Sequence, residues 1–425
     1  MGEFNKSNGN KKGKSCKRLH LWFLASIMLL EISYAFSQEA DSTVFSLPEG
    51  KSSVTIPFEN HNNLIIIPVQ IGGSIRSNFI LDSGARGTVL IEKVIGDLLD
   101  FDYTTEYTVA GAGTQGAVTA YRAENVTLSV DGLNCNPTDI FVLERDYLEL
   151  PKYLGIEVQG IIGSRFFQDL VVKIDYEDSE LEVYDPAKFK APRRYTGFEL
   201  EKRQSKPYIL GQMRIREGAQ DTARFLLDTG ASHALLVEMN EENEIALPEE
   251  YIESSLGRGL SGDIPGYLGR VHTFSLGEFQ LNEVITSFTA RYSKIQRKGR
   301  VGTIGGELLS RFSVIMDFPQ GMLFLKPDDK YRKKFDFNMS GMQLEAFGED
   351  YDRVMVDYVR KDSPAAEAGI QTGDEILKIN WIWIDMYSLS HVYSILRSRE
   401  GRTIRLKILR NGEKMRIKFD LVRMI

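Results

Sequence analysis

From residue 54 onward, apolar and polar residues alternate in short runs that are separated by turn residues. The first runs predict strands at residues 54–58, 64–71, 78–81 and 88–91. Alternation with closely spaced turns is typical of an all-β sandwich or barrel. A similar pattern returns after residue 195, so the sequence predicts a mainly β protein in which one β unit is repeated.

One motif occurs in both units. It reads Phe-Ile-Leu-Asp-Ser-Gly-Ala at residues 79–85 and Phe-Leu-Leu-Asp-Thr-Gly-Ala at residues 225–231. In each copy three apolar residues predict a buried strand, and Asp82 or Asp228 follows where the strand meets a turn. A single copy would fit an ordinary turn, because an aspartate often caps the backbone after it. Two copies in a long repeat favour a functional pair of carboxylates.

A glycine-rich segment follows each aspartate, and its first glycine lies 29 residues after the aspartate in both units. Both segments match G-x-G-x-x-G, but a nucleotide-binding loop must follow a strand and open a helix. Strand-like alternation continues here instead, so each segment predicts the tip of a mobile β-hairpin that acts as a flap. The flap residues are Gly111, Ala112, Gly113, Gly257, Arg258 and Gly259.

A later motif is also repeated, as Gly-Ile-Ile-Gly at residues 160–163 and Gly-Thr-Ile-Gly at residues 302–305. These copies are 142 residues apart and the aspartates 146, a difference that fits loops of different length in duplicated domains. We predict a first lobe at 54–185, a linker at 186–194 and a second lobe at 195–327, with an N-terminal segment at 38–53.

The first 37 residues differ from the rest. A cluster of Lys and Arg precedes an apolar run at residues 21–30, and small residues precede Gln38. This order predicts a secretory signal peptide at residues 1–37 and export to the periplasm, cell envelope or medium. An uncleaved anchor is the alternative, although Glu31 ends the run short of the roughly 20 apolar residues that a spanning helix needs.

Composition excludes several classes of function. With 42% hydrophobic and 26% charged residues, the chain resembles an ordinary globular protein. The formal charge of -7 would become -11 without residues 1–37, so nucleic acid is not an expected partner. Only Cys135 would remain after cleavage, so the exported chain would rest on its core and not on disulfides. The histidines are scattered without zinc-ligand spacing, and we expect no metal or cofactor.

The Asp-Ser/Thr-Gly-Ala motifs, the glycine-rich hairpins and the later glycine motif together resemble retropepsin-type aspartic proteases. The resemblance covers residues 54–327 and implies two homologous retropepsin-like β-barrel lobes in one chain, as in pepsin. It implies a catalytic dyad of Asp82 and Asp228, with the hairpins closing over an extended peptide. Ala85 and Ala231 are more similar to the retroviral form, and neither hairpin carries the flap tyrosine of the pepsins.

Two adjacent carboxylates can hydrolyse a peptide bond without a covalent intermediate. Like charges at close range cannot both ionise, so the pair shares a proton. One aspartate acts as general base toward water and the other as general acid toward the carbonyl oxygen. We expect Ser83 and Thr229 to brace the carboxylates through their hydroxyls, and Gly84 and Gly230 to let the backbone pass close beneath them.

We predict no catalytic role for three further polar residues. Asp175 and Asp317 match between the lobes but lie within alternating strands, so we predict that they face solvent. His233 lies close to the second motif, where we predict a satisfied polar residue and not a proton carrier.

After residue 327 the pattern changes to a basic join and then short strands. A Ser-Pro-Ala-Ala motif at 363–366, the run Ala-Gly-Ile-Gln-Thr-Gly-Asp at 368–374 and a predicted helix at 389–398 resemble a PDZ domain at residues 335–422, a small α+β fold. By that resemblance the helix from Leu389 would line a groove in which a C-terminal peptide adds a strand. Its carboxylate would be received by Gly341, Met342, Gln343 and Leu344. Trp381 stands at the usual position of a glycine, so that turn must differ.

The sequence therefore favours an exported aspartic endopeptidase of the bacterial type, whose PDZ domain recruits or gates protein and peptide substrates. A non-catalytic peptide-binding or scaffold protein with a working PDZ domain is the alternative. Retention of both carboxylates favours the enzyme, because a decayed protease would have little reason to keep them. No membrane span is expected once the signal peptide is removed.

Overall fold

The computed structural model describes residues 45–109, 116–216, 221–239, 245–290 and 299–425. The fold is mainly β, with two barrel-like lobes followed by a small α+β domain, as predicted. The predicted signal peptide and the flap residues Gly111, Ala112 and Gly113 lie outside the described residues. Of the helices that the structure describes, none is long and apolar enough to cross a bilayer.

The first lobe contains strands, two short helices and a 3-10 turn at Ser164–Phe167. In chain order its elements are β1 (Phe45–Ser46), β2 (Ser53–Pro57), β3 (Glu59–His61), β4 (Leu64–Ile71), β5 (Ile75–Leu81), β6 (Val89–Leu90), α1 (Lys93–Leu98), β7 (Tyr103–Val109), β8 (Val118–Val126), β9 (Leu128–Val130), β10 (Asn134–Cys135), β11 (Thr138–Leu143), α2 (Leu150–Leu154), β12 (Gly160–Ile162), β13 (Val171–Asp175) and β14 (Glu180–Tyr184). Its main sheet runs β3-β4-β5-β12-β6-β11-β8-β7. Strand β5 starts earlier than the apolar pattern predicts, because pairing with β4 extends it to Ile75.

The second lobe repeats this plan. Its elements are β15 (Thr196–Glu199), β16 (Glu201–Arg203), β17 (Lys206–Arg214), β18 (Asp221–Leu227), β19 (Leu235–Val237), β20 (Tyr251–Gly259), β21 (Gly262–Leu276), β22 (Phe279–Thr289), β23 (Gly302–Ile304), α3 (Gly306–Leu309), β24 (Phe312–Asp317) and β25 (Met322–Pro327). The main sheet runs β16-β17-β18-β23-β19-β22-β21-β20. Strand β18 lies parallel to β23 in the register that β5 has with β12, so the sequence repeat is a structural repeat.

A shared sheet joins the lobes in the strand order β15-β25-β24-β13-β14-β2. At its centre β13 of the first lobe pairs antiparallel with β24 of the second. The prediction that Asp317 faces solvent is wrong, because this sheet buries it to 5% exposure and its carboxylate accepts from Gln320 N at 3.0 Å. Asp175 is partly buried.

The C-terminal domain has its own core. Its elements are β26 (Met342–Phe347), β27 (Arg353–Val359), α4 (Pro364–Glu367), β28 (Glu375–Ile379), β29 (Ile382–Trp383), a 3-10 turn (Ile384–Met386), α5 (Leu389–Leu396), β30 (Thr403–Arg410) and β31 (Glu413–Asp420). The sheet runs β26-β27-β28-β30-β31. The Ser-Pro-Ala-Ala motif starts α4, since Ser363 accepts from Ala366 N as an N-cap and proline fits the first helical position.

The join before this domain is fixed to the second lobe by Arg311. Its guanidinium donates to Lys330 O at 2.9 Å, to Lys334 O at 3.2 Å and to Lys333 O, and lies 3.4 Å from the centre of the Phe335 ring. The C-terminal domain is therefore held against the lobes at its first residues.

Candidate active site

The two predicted catalytic aspartates occupy equivalent places. Asp82 follows β5 and Asp228 follows β18, and each backbone N–H donates to the neighbouring parallel strand, to Ile162 O at 2.8 Å and to Ile304 O at 2.9 Å. Their side chains are buried, with exposures of 0% and 3%. The repeat thus brings one carboxyl from each lobe to the junction between the lobes.

The motif glycines are required by this close approach. A Cβ atom on Gly84 would lie 2.5 Å from Cγ of Asp228, and one on Gly230 would lie 2.2 Å from Cγ of Asp82. No side chain fits at these distances. Each glycine therefore makes room for the aspartate of the opposite lobe.

The prediction that the hydroxyls of Ser83 and Thr229 brace the carboxylates is wrong. Both hydroxyls form their hydrogen bonds across the junction, to the motif turn of the opposite lobe. Ser83 Oγ donates to Leu227 O at 2.8 Å and accepts from Thr229 N at 3.1 Å. Thr229 Oγ1 donates to Leu81 O at 2.7 Å and accepts from Ser83 N at 3.0 Å. These bonds fasten the two motif turns to each other, which fixes the separation of the aspartates.

Backbone amides supply the contacts that the hydroxyls do not make. Asp82 Oδ1 accepts from Gly84 N at 2.7 Å and from Ala85 N at 2.9 Å, while Asp228 Oδ1 accepts from Gly230 N at 3.0 Å. Each carboxyl is therefore held by its own turn, in a fixed orientation toward the other.

The two carboxyls come within hydrogen-bonding reach of each other and differ in their surroundings. Burial raises the pKa of Asp82 well above its usual range, and the charge of Asp228 and the bond to it raise that pKa further. Burial also raises the pKa of Asp228, but the bond from Asp82 and the positive charges of Arg300 and Lys206 oppose this rise. The two cations therefore favour the ionised form of Asp228.

Sequence reasoning missed the charged residues behind Asp228. Lys206, Glu238 and Arg300 are all buried, with exposures of 5%, 0% and 6%. Arg300 donates to Glu238 Oε1 from Nη2 at 2.7 Å and from Nε at 3.0 Å. The available signal in the sequence was that three charged residues stand beside predicted apolar strands. Their burial could not be predicted, because it depends on how the strands pair.

His233 lies in the loop that follows Asp228 and is buried. Burial lowers its pKa to about 3, so the imidazole stays neutral at any pH near the physiological range. A neutral, enclosed histidine fits the prediction that it is not a proton carrier. The prediction of a satisfied polar residue is not borne out, because neither ring nitrogen has a hydrogen-bond partner among the described residues.

The second predicted flap is a β-hairpin, as expected from the sequence. Gly257, Arg258 and Gly259 end β20, and Gly259 pairs with Gly262 at the start of β21. Arg258 Nη2 lies 3.0 Å from Glu149 Oε2 and its Nε donates to Tyr147 O at 3.1 Å. The tip of the second-lobe hairpin is therefore tied to the first lobe, at the segment 146–155 that contains α2.

Segment 146–155 also fills the predicted peptide groove of the C-terminal domain. Helix α2 contacts both walls of that groove, β26 and α5. A Cβ atom on Gly155 would lie 2.9 Å from Cβ of Leu389 and 3.6 Å from Cβ of Ala346. Gly155 thus lies between the two walls, with no room for a side chain.

Internal bonds occupy the groove's own polar groups. The Tyr393 hydroxyl accepts from Leu344 N at 2.9 Å and donates to Leu344 O at 3.0 Å. In the loop predicted to receive a carboxylate, Met342 N donates to Ser340 Oγ at 3.0 Å. The structure brings Gly341, Met342, Gln343, Leu344 and Leu389 together, and all five are buried.

Sequence comparisons agree with this architecture. The model of the family described as aspartyl protease matches residues 67–166 and 212–308, and that described as PDZ domain matches residues 355–410. The chain is also similar to the carboxy-terminal processing protease CtpB of Bacillus subtilis (strain 168), with 27% identity over 130 residues, or 30% of this chain. These residues span 27% of the length of that relative.

Among solved structures, the chain is similar to the aspartic proteinase from Irpex lacteus at 12% identity and a TM-score of 0.39, over 66% of this chain and 99% of that chain. The two sequence-family matches fall on the two lobes and on the C-terminal domain described above. The chain therefore carries two retropepsin-like aspartyl protease lobes followed by a C-terminal PDZ domain.

Proposed function

We propose that this chain is an exported aspartic endopeptidase in which Asp82 and Asp228 activate a water molecule that attacks the peptide carbonyl. The observation that carries the proposal is the close approach of two buried carboxyls, one from each lobe, each lying against the motif glycine of the opposite lobe. A pair that shares one proton supplies a base and an acid in the same site.

The surroundings of the carboxyls give each one a role. Asp228 is the more readily ionised, because Arg300 and Lys206 favour its charged form, and it takes a proton from the water. Asp82 keeps the shared proton and donates it to the carbonyl oxygen as the carbon–oxygen bond forms. When the tetrahedral intermediate breaks, the proton now on Asp228 passes to the leaving nitrogen, and Asp82 takes a proton from a hydroxyl of the intermediate as the new carboxyl group forms, which restores one proton to the pair.

The bonds between the lobes support this chemistry by fixing geometry. Ser83 and Thr229 are each bonded to the backbone of the opposite lobe, so the carboxyls do not depend on flexible side chains for their separation. Catalytic groups held in position before substrate arrives avoid the cost of ordering them during reaction.

We further propose that the PDZ domain gates substrate entry. Its groove is filled by segment 146–155, and the same segment holds Arg258 at the tip of the second hairpin. A C-terminal peptide that adds a strand in the groove must displace Gly155 and the Tyr393 hydroxyl. Movement of the segment would release Arg258 and let the hairpin open for a substrate.

Export is supported by the basic, apolar and small-residue order of residues 1–37. The alternative function, a non-catalytic peptide-binding scaffold, requires only the PDZ domain. It gives no reason for two buried carboxyls, which are costly to keep in a folded protein without a compensating role.

Cleavage of a mixed peptide library, followed across pH with and without a statine-type inhibitor, tests the enzymatic proposal. We expect endoproteolytic products on the acidic side and their loss with the inhibitor. A folded chain that binds peptides through its PDZ domain but yields no products at any pH would favour the scaffold.

A further inference from the structure

The C-terminal domain exposes a group of large apolar side chains on one short stretch. Between β28 and α5, Trp381 is 71% exposed, Met386 73%, Trp383 51% and Ile382 44%. Isolated exposed apolar residues are common on proteins, but four in six consecutive residues form a patch, and such patches usually mark an interaction site.

The turn that presents Trp381 is strained. Asn380 and Trp381 connect β28 to β29 with φ values of 46° and 77°. This left-handed region suits asparagine and glycine, and a bulky residue there is an outlier. Trp381 therefore costs folding energy where glycine would not, which points to a role outside folding.

The sheet face beside the tryptophans carries a row of positive charges. Trp383 pairs opposite Lys378, Lys378 opposite Lys407, and Lys407 opposite Arg416. Like charges directly opposite one another destabilise a sheet. Such a row is therefore not explained by the fold alone.

A second pair of cations, Arg405 and Lys418, lies two residues along the same strands and so on the same face. Among the described residues, none of these five side chains lies within ion-pair distance of a carboxylate. The whole chain has a net charge of -7, so this face opposes the overall sign.

A basin of about 400 Å³ lies between the cations and Trp381. Its lining includes Lys378, Trp381, Arg405, Lys407, Arg416 and Lys418. We call these residues, with Ile382, Trp383 and Met386, the Trp-cation surface. It is distinct from the peptide groove, whose walls are β26 and α5.

We propose that the Trp-cation surface docks on an anionic lipid bilayer, with the tryptophans at the interface and a lipid phosphate in the basin. Tryptophan places its apolar ring among acyl chains and its polar edge among headgroups. Lysine and arginine near an anionic surface add electrostatic attraction. A bilayer fits better than a peptide, because Ile382, Trp383 and Met386 are exposed outside the basin and do not line it.

Cosedimentation of the full chain with vesicles tests the proposal, using pure phosphatidylcholine and a phosphatidylcholine–phosphatidylglycerol mixture. We expect binding to the mixture that weakens with salt. Trp381→Gly should weaken it by at least about tenfold, since affinity scales with buried apolar area, and should not harm the fold because glycine suits the turn. Lys407→Gln and Arg416→Gln should each weaken it by about fivefold.

Matched controls are Leu98→Ala, at a position 73% exposed on the first lobe, and Arg76→Gln, whose side chain is 74% exposed there. Both should bind as the unchanged chain does, and all variants carry the same N-terminus. The proposal is overturned if the Trp381 and cation variants bind anionic vesicles as well as the controls do. It is also overturned if the chain binds polyglutamate, or free glycerol phosphate, but no vesicles.

Discussion

The two lobes share a backbone plan but differ in what lies behind each aspartate. The strands of the two lobes pair in the same register, since Phe79 pairs with Gly160 as Phe225 pairs with Gly302. This register makes three positions near the first aspartate equivalent to three positions near the second. At these positions the first lobe has buried Leu64, Ile91 and Val158, which belong to one apolar cluster. The second lobe has Lys206, Glu238 and Arg300.

Duplication therefore preserved the geometry while making the electrostatics unequal. Buried ion pairs seldom add stability over apolar residues of similar size, so the charges of the second lobe need another reason. Their effect on Asp228 supplies one, since Arg300 and Lys206 favour its ionised form, whereas no cation of the described residues is among the causes that shift the pKa of Asp82. A symmetric pair would leave the position of the proton undecided.

The strongest test of this comparison is the loss of either carboxyl. Asp82→Asn and Asp228→Asn should each lower kcat by about 10³-fold or more, because one group cannot serve as base and acid in the same step. The double variant should be about as inactive as either single one, since the two act as a unit. Peptide cleavage assays measure all three, and substantial activity in one single variant would remove that aspartate from the dyad.

Replacing the three buried charged residues of the second lobe by the apolar residues of the first should give the two aspartates similar electrostatic surroundings. In Lys206→Leu/Glu238→Ile/Arg300→Val, Asp228 loses the cations that lower its pKa, so the base is protonated over more of the acidic range. We expect kcat/KM on the acidic side to fall several-fold and the acidic limb of the profile to move to higher pH.

The charge-preserving change Lys206→Arg is the control for that swap and should leave the acidic limb in place. Changing all three positions together avoids leaving Glu238 buried without Arg300, which would be strongly destabilising. An unmoved acidic limb in a folded triple variant would contradict the role assigned to these charges.

The pH dependence of stability should also differ between variants at the two aspartates. Burial raises the pKa of Asp82, so the native chain loses stability as pH rises from the ordinary carboxyl pKa of 3.8 through the raised folded value. Asp82→Asn removes that loss. Its free energy of unfolding should match that of the unchanged chain below pH 3.8 and exceed it at high pH.

The same substitution at Asp228 should give a smaller gain, because Arg300 and Lys206 already offset part of the cost of its charge. Thermal unfolding followed across pH measures both. Equal gains for the two variants would mean that the lobes treat their aspartates alike.

The sequence predicts the features that are local. The repeated motif, the second hairpin and the helix starting at Leu389 follow from apolar periodicity and turn residues, and the structure has them at nearly those bounds. Ser83 and Thr229 were found, but not their partners, because the bonds cross between lobes 146 residues apart in sequence.

Features that depend on packing between distant segments were not predicted. The shared sheet that buries Asp317 requires β24 to meet β13, which no local pattern encodes. The occupation of the PDZ groove by segment 146–155 depends in the same way on how the domain is docked. Lys206 and Arg300 flank strands, where a charged residue ordinarily indicates solvent.

Of the predicted changes, loosening the second hairpin should have the smallest effect on activity. Arg258 ties the described second hairpin to Glu149 and Tyr147, and removing it by Arg258→Ala should change KM for a short peptide by only a few-fold, since partly exposed ion pairs contribute about 1 kcal/mol or less. Lys152→Ala is the matched control, because Lys152 bonds Glu149 at 2.7 Å without contacting the hairpin.

Coupling to the PDZ domain makes this small effect informative. Gly155→Ala should push segment 146–155 off Leu389, since the added Cβ has only 2.9 Å of room, and should thereby free the hairpin in the same way. If the segment transmits groove occupancy to the flap, the Arg258→Ala and Gly155→Ala effects on KM should not add. Additive effects would separate the groove from the hairpin, and the PDZ domain would then act only by recruiting substrate.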